Sequence, residues 1–319
     1  MQTEQNKPLI SIIIPFYNSA EYINNILSCI KKQTNRNFEV IFVNDGSTDN
    51  SESVINDELF GTDVSFRIIR QENKGLGEAR NHGLLCARGD WVMFIDADDA
   101  IQNFAIENYV ETVNYYKNAD VILSHYIDVD ILQYDYETEK SYKLKIIDNK
   151  SVMANFLTRK TVYLAPGNLF NRQFLEENHI LFPKIRWSED QYFLWKVFNN
   201  ADEIVELESI LYNYCHHGGV SIMNSTSVDM MLSSYDIYNT TLIPTISDFN
   251  IAYNLLPRWC LGCLHVLAQR GTKVDFMHFW TSVDGKTQMK KLRGFPSLKI
   301  KLLARMGEIS PSILYCILK

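Results

Sequence analysis

A chain of 319 residues, 46% hydrophobic and 22% charged, with only 14 Gly and 8 Pro, can bury a large core and is not disordered, collagenous or low in complexity. A length of this order fits about two structural units. The net charge of −7 argues against a general nucleic-acid binder, which needs a basic face for phosphates, so no nucleic-acid partner is expected.

The charge is uneven. Residues 286–319 hold eight basic side chains (Lys286, Lys290, Lys291, Arg293, Lys299, Lys301, Arg305 and Lys319) against the single acid Glu308, a local +7 that leaves −14 for the rest. An acidic body with a basic end points to something anionic near that end. No apolar run reaches the roughly 18 to 20 residues that cross a bilayer. The first apolar segment, residues 9–16, follows a polar, acidic start and precedes no cleavage-like sequence, so neither a span nor a signal peptide is expected. Six scattered cysteines (Cys29, Cys86, Cys215, Cys260, Cys263, Cys316) favour free thiols in a reducing, cytoplasmic setting.

In chain order, LISIII at Leu9–Ile14 predicts a buried strand stopped by Pro15, and Ile23, Ile26, Leu27 and Ile30 then share one helical face. Phe38–Val43 predicts a strand, Asn44–Asp49 a turn, and a short helix follows. Val64–Arg70 reads as strand, Gly77–Ala87 as helix and Trp91–Ile95 as strand. This βαβαβαβ alternation predicts an α/β fold with a mainly parallel, doubly wound sheet, whose ligands sit at the carboxyl ends of the strands. Farther on, Ala119–Asp130 and Thr161–Phe170 read as strands, Asp190–Phe198 as a helix with Leu194, Val197 and Phe198 on its apolar side, and Ile204–Tyr214 as a strand. From Ser227 onward the pattern is helical. The expected organisation is an α/β domain at 1–225, in two parts at 1–100 and 101–225, then a helical region at 226–319 ending in a basic amphipathic tail.

Four successive strand ends open into polar residues: Pro15-Tyr17-Asn18, Asn44 to Asp49, Asn73-Lys74-Gly75, and Asp96-Ala97-Asp98-Asp99. Asp96 and Asp98, two apart after a strand, project to one face if the chain stays extended, and their hard oxygens select Mg²⁺ or Mn²⁺. Two carboxylates do not cage a metal, so a phosphate-bearing ligand would complete the shell. A plain acidic turn is the alternative. Asp45-Gly46-Ser47-Thr48-Asp49 reads equally as a helix-capping turn or as a strand end whose carboxylate accepts the imide N–H of uracil while Tyr17 offers a stacking face. Gly75-Leu76-Gly77 lacks the third glycine of the dinucleotide fingerprint, which is Arg80 here. Arg80 and Lys74, near a helix start, instead suit a diphosphate or the acidic cluster.

In order and spacing, IIIPFYN, VNDGSTDNS, NKGLGEARNHGL and FIDADD resemble the nucleotide-binding half of family 2 glycosyltransferases. That resemblance implies a GT-A fold and an inverting transferase using a UDP-sugar donor with Mn²⁺ or Mg²⁺. It makes 1–100 the nucleotide-sugar half and 101–225 the acceptor and base half of a catalytic domain. It places Tyr17, Asn18 and Asp45 on the nucleobase side, Asp96 at the ribose or metal, Asn73 and Arg80 among further donor contacts, and Pro15 and Ala97 among the nucleotide-sugar-binding residues. Asp98, with help from Asp96, would hold the metal. A looser match runs through Pro166 to Arg172 and Trp187-Ser188-Glu189-Asp190, and implies that Asp190 is the catalytic base. As residues alone, Ser188-Glu189-Asp190 also reads as a capped helix start, and the helix dipole and Glu189 push the Asp190 pKa in opposite directions.

Cys215-His216-His217 matches a segment where some relatives place a basic or metal-binding residue, which makes His217 a further ligand candidate. Cys260-Leu261-Gly262-Cys263 lacks a second pair and reads as core packing. In the tail, Leu298, Ile300, Leu302, Leu303 and Met306 interleave with Lys299, Lys301 and Arg305. That pattern suits a segment lying on an anionic membrane surface and reads almost equally as a solvated basic helix; the resemblance implies the cytoplasmic face of a bacterial inner membrane. The expected acceptor is a glycan hydroxyl, lipid-linked or of lipopolysaccharide, O-antigen or capsule type, with Tyr163, Asn168 and Trp187 as candidate contacts. The expected donor sugar is a hexose or N-acetylhexosamine. Two rival readings are a DxD phosphatase and a non-catalytic module binding glycan or sugar nucleotide. The first is disfavoured by Ala100, where such enzymes carry Thr or Val, and by the βαβαβα that precedes the motif.

Overall fold

Continuous runs of Ile, Val and Phe make parallel strands when both sheet faces are covered, and that is the case here. The computed structural model describes residues 7–130, 143–158, 160–216, 227–246 and 248–319. In chain order its elements begin with β1 (Ile10–Phe16), α1 (Asn24–Lys32), β2 (Phe38–Asn44), α2 (Ser51–Leu59), β3 (Phe66–Arg70), α3 (Leu76–Cys86), β4 (Trp91–Phe94), β5 (Ala100–Ile101) and α4 (Ala105–Tyr115). There follow β6 (Val121–Asp130), β7 (Leu144–Ile147), α5 (Asn149–Thr158), β8 (Leu169–Asn171), α6 (Arg172–Glu177), α7 (Glu189–Asn200) and β9 (Ile204–His216). The helical remainder is α8 (Val228–Ile237), α9 (Phe249–Arg270), α10 (Lys273–Ser282), α11 (Gly285–Lys291), α12 (Leu298–Ile309) and α13 (Pro311–Leu318). Contacts divide the chain into one unit of 1–149, 164–184 and 200–218 and a second of 150–163, 185–199 and 219–319.

The first unit holds the sheet, in the order β3-β2-β1-β4-β8-β6-β9-β5, with β7 also paired to β9. Strands β3, β2, β1 and β4 run parallel, and β6 and β9 are parallel to each other. Between them β8 is antiparallel to both β4 and β6, so β6 and β9 point the same way as the first four. The six therefore share one carboxyl edge. Ile10, Ile12, Ile14, Val40, Phe42 and Met93 pack on one face with Ile26, Leu27 and Ile30 of α1, Ile55 of α2 and Ile106 and Tyr109 of α4. Helix α3 covers the other face. A Cβ on its Gly83 would stand 2.3 Å from Ile13 Cγ2 and 3.1 Å from Val43 Cγ2, so glycine lets helix and sheet touch.

Two expectations are corrected. Strand β1 runs through Pro15, which pairs with Val43, because β4 pairs no farther than Ile13 and leaves that side of the proline without a ladder to donate to. Of Thr161–Phe170, only Leu169 and Phe170 are strand, extended to Asn171. Pro166 and Gly167 break the run: Gly167 has φ +78°, and its N–H donates to Phe94 O at 2.9 Å.

The second unit is helical around an aromatic core. Phe156 meets Trp195 and Phe198 edge-on at 5.7 and 5.9 Å, and Tyr163 joins Phe198 at 5.3 Å. Cys260 and Cys263 are buried in α9 as packing residues, and none of the six cysteines forms a disulfide. Among the described residues no helix is long and apolar enough to cross a membrane.

Candidate active site

At the carboxyl edge, the loops after β1 and β2 are laced together by side-chain-to-backbone bonds. Asn18, at φ +49°, accepts from Thr48 N at 2.8 Å and Asp49 N at 3.3 Å through Oδ1, while its own N–H donates to Ser47 Oγ at 3.0 Å. Asp49 accepts from Ala20 N and Ser51 N, both at 3.1 Å, and Ser51 Oγ in turn accepts from Ser19 N at 2.8 Å. Pro15 is buried, and Tyr17, next to Asn18 in the chain, has half its surface exposed.

Asp45 performs the same service one loop farther on. Its buried carboxylate accepts from Gln71 Nε2 at 2.8 Å and from Lys74 N and Gly75 N, each at 2.9 Å. Gly75 caps α3, so the negative charge also meets the positive end of that helix. Next to it Gly46, at φ +79°, lies so close to Asn73 that a Cβ would come within 3.0 Å of Asn73 N. Carboxylate oxygens offer about four acceptor positions, and three are used here, which leaves Oδ2 one for a ligand donor.

The acidic cluster follows β4. Asp96 to Asp99 form a tight turn closed by Asp99 N donating to Asp96 O at 3.1 Å, so Asp96 and Asp98 are not presented by extended chain as their spacing suggested. The turn is forced inward at its last residue. Asp99 is buried and accepts from the Tyr212 hydroxyl and, at 2.8 Å, from Cys215 N. Burial, and then the charges of Asp96 and Asp98, push the Asp99 carboxyl well above the usual carboxylate range. Tyr214 is pushed up to about 12 by burial and then by Asp99, Asp96, Asp98 and Asp128, so it remains a hydroxyl donor beside the cluster. Ala97 is buried in the turn. Asp98 also reaches the β1 loop: Tyr22 is raised by its bond to Glu21, then by burial and the charges of Glu21 and Asp98.

Arg80 lies behind this turn. Its side chain is wholly buried, donates to Asp96 Oδ1 at 2.6 Å, and sits over the Phe182 ring at 5.1 Å. The Phe182 backbone is fixed by the Asn81 side-chain amide: Asn81 Nδ2 donates to Phe182 O and Oδ1 accepts from Phe182 N, both at 2.9 Å. Arg80 thus meets the acidic cluster, one of the two roles its position suggested. Gln71, Asn81, Phe182 and Tyr212 were not anticipated; the only sequence signal for them was the unassigned polar and aromatic composition around the motifs.

Pro15, Tyr17, Asn18, Asp45, Asn73, Arg80, Asp96, Ala97 and Asp98 therefore gather at one edge of the first unit. Asp190 belongs to the second unit, in the first turn of α7 with Glu189. His217 lies outside the described residues, while His216 Nε2 is 3.0 Å from Asp128 Oδ1. Asn168 is buried and spent on Ser124 N at 2.8 Å and Leu164 O at 2.6 Å, Tyr163 is packed in the aromatic core, and Trp187 meets Trp259 edge-on at 5.6 Å.

The donor set fits a hard divalent cation only together with a ligand. Among the described residues no group of three or more His, Cys, Asp or Glu side chains could hold a metal ion alone. Asp96 and Asp98 supply the kind of carboxylate oxygens that such an ion takes.

A family model for glycosyl transferase family 2 matches residues 11–178, which takes in every motif of the sheet edge. The chain belongs to this family. GlyG, a glycosyltransferase of Streptococcus pneumoniae, is 30% identical over 226 residues, 68% of this chain and 73% of its own. Among solved structures, Staphylococcus aureus TarS residues 1–349 in complex with UDP-GlcNAc aligns with TM-score 0.62 at 21% identity, covering 95% of this chain and 89% of that one. The mannosyltransferase PcManGT of Pyrobaculum calidifontis, in complex with GDP-Man and Mn²⁺, aligns with TM-score 0.51 at 15% identity, covering 98% of this chain and 87% of that one. The fold is GT-A, with a helical region after it, and the transferase identity removes the phosphatase reading.

Proposed function

We propose that this glycosyltransferase is metal-dependent and inverting, and moves a hexose or N-acetylhexosamine from a UDP-sugar to a hydroxyl of a glycan acceptor, forming a β-glycosidic bond. The observation that carries the reading is the Asp96–Asp99 turn at the shared edge with the clasped Tyr17–Asn18 and Asp45 loops. UDP as the nucleotide and an N-acetylhexosamine as the sugar are supported by the UDP-GlcNAc complex of TarS. Metal dependence is supported by the Mn²⁺ complex of PcManGT and by the donor set described above.

In this reading Tyr17 stacks on the base and the remaining acceptor position on Asp45 takes its imide N–H. Asp98 and Asp96 would hold Mn²⁺ or Mg²⁺, which when bound supplies positive charge against the diphosphate. Arg80, buried behind Asp96, holds that carboxylate in place through its bond to Oδ1. Asp190 takes the proton of the acceptor hydroxyl as its oxygen bonds to the anomeric carbon. The bond from that carbon to the diphosphate breaks on the opposite face, and its electron pair leaves on UDP.

The acceptor we propose is lipid-linked or a bacterial surface glycan, and the tail is the membrane contact. Leu298, Leu302, Met306 and Ile309 are exposed along one side of α12, while Ile300, Ala304 and Gly307 are buried on the other. Ile300 thus leaves the interleaved set read from sequence and Ile309 joins it. At 100° per residue, Lys299 and Arg305 flank this apolar stripe, the arrangement of a helix lying in an anionic interface.

The test is thermal stabilisation by UDP, GDP and a panel of UDP-sugars, with and without Mn²⁺, on wild type and Asp98→Ala. Ligand at 100 times its dissociation constant adds about 2.7 kcal/mol. A UDP-selective, Mn²⁺-dependent rise that Asp98→Ala abolishes is the expected result, and UDP release from the best stabiliser separates a transferase from a non-catalytic binding module. No response to any nucleotide with metal present overturns the donor assignment.

A further inference from the structure

Ser188 is a non-glycine residue at φ +64°, a region that a Cβ disfavours, and it immediately precedes the helix that carries Asp190. Its carbonyl accepts the bond from Tyr192 N, at 3.3 Å, that starts α7. The same carbonyl also accepts from the hydroxyl of Tyr238, a side chain with no exposed surface. Two further bonds hold this corner. Trp259 Nε1 donates to Ser188 Oγ at 3.3 Å, and Ser234 Oγ donates to Trp187 O at 2.7 Å. Tyr238 opens a π-helical turn, Tyr238–Leu242, just after α8, an uncommon geometry that recurs near functional sites. Its ring is wedged between Trp195 of α7 at 5.1 Å and Trp259 of α9 at 4.9 Å.

Helix α8, the π-helical turn after it and α9 therefore converge, through one polar side chain each, on the two residues ahead of the first turn of α7. A packing role needs the Tyr238 ring; it does not need a buried hydroxyl aimed at the one carbonyl that sets the helix start. We propose that Tyr238 is a positioning residue for Asp190. Its hydroxyl holds Ser188 in the left-handed conformation and so fixes where the first turn of α7 presents the Asp190 carboxylate. The proposal rests on the reading of Asp190 as base.

The experiment compares Asp190→Asn, Tyr238→Phe and the double variant Tyr238→Phe/Ser188→Gly in the full chain. It follows UDP release from UDP-GlcNAc, or from whichever UDP-sugar the wild type turns over in the panel above, with water as acceptor. A base displaced by about 1 Å costs on the order of 10²-fold in rate, so Tyr238→Phe is expected to lose about 10- to 100-fold in kcat with KM for the UDP-sugar unchanged. Loss of one hydrogen bond should move Tm by no more than about 5 °C. Glycine adopts positive φ without penalty, so adding Ser188→Gly should restore about fivefold or more of the lost kcat. Wild-type kcat in Tyr238→Phe with an inactive Asp190→Asn overturns the positioning role alone. Wild-type turnover in Asp190→Asn removes the base and this inference with it. A fall in Tyr238→Phe that tracks lost stability, with no glycine rescue, reduces Tyr238 to packing.

Discussion

Replacing Asp45 tests whether its carboxylate is the fastener of the nucleotide-side loops. Asp45→Ala removes three bonds, to Gln71 Nε2, Lys74 N and Gly75 N, and strands two backbone N–H groups at the start of α3. Bonds to a charged acceptor contribute about 1.5 to 3 kcal/mol each when buried, but Lys74 is exposed and losses within one loop overlap. A total near 3 kcal/mol follows, which for a unit of this size lowers Tm by about 6 to 12 °C. Asp45→Asn keeps one carbonyl oxygen and turns an amide N–H₂ toward a backbone N–H, so it should cost about half as much. Calorimetry on the three proteins without ligand gives the order, and titration with UDP then reads the donor site separately. An alanine variant within about 0.5 kcal/mol of wild type would refute the fastening role.

Gly83→Ala places a methyl 2.3 Å from Ile13 Cγ2 in the closed sheet face, and should lose about 1 to 3 kcal/mol by urea denaturation despite the better helix propensity of alanine. Glu52 is held below its ordinary pKa by Arg70, against burial and with help from Asn44. A lowered folded-state pKa stabilises above the unfolded value of about 4.3 and is lost as pH falls through the folded one, so Arg70→Met should flatten the acid limb of Tm against pH. An unchanged limb would show that the pair carries no linkage. Leu302→Asp/Ile309→Asp should weaken sedimentation with phosphatidylglycerol vesicles by about tenfold or more while leaving UDP-induced stabilisation intact. Equal binding by that double variant would detach the tail from the membrane.

The first hundred residues were legible because doubly covered parallel strands write themselves as unbroken apolar runs, and Ile23, Ile26, Leu27 and Ile30 put a 3.6-residue period on the first helix. Strand β5 has two residues and β7 four, too few for any period to show. The run at 161–170 has strand composition, yet Gly167 must approach Tyr212 so closely that its backbone turns instead. That the candidate residues of the first hundred positions share one sheet edge was legible; their partners were not. Asn18 and Asp45 spend their oxygens on backbone N–H groups, which carry no mark in a side-chain pattern. Tyr238 and Trp259 lie 50 and 71 positions from Ser188, and nothing local connects them.

The clasp at Asn18 has a thermodynamic consequence for the ring beside it. Tyr17 lies between the last residue of β1 and a residue whose backbone and side chain are both tied to the neighbouring loop, so its own φ and ψ are settled before any ligand arrives. Fixing a residue's backbone costs about 1 to 2 kcal/mol, and here folding has already met that cost. A planar ligand stacking on Tyr17 has only two side-chain torsions left to freeze. For a ligand bound as proposed, affinity at this edge would be stored in the loop lacing as much as in the ring, and Ser47→Ala, which removes the acceptor of Asn18 N and need never touch a ligand, should weaken it by letting Tyr17 wander.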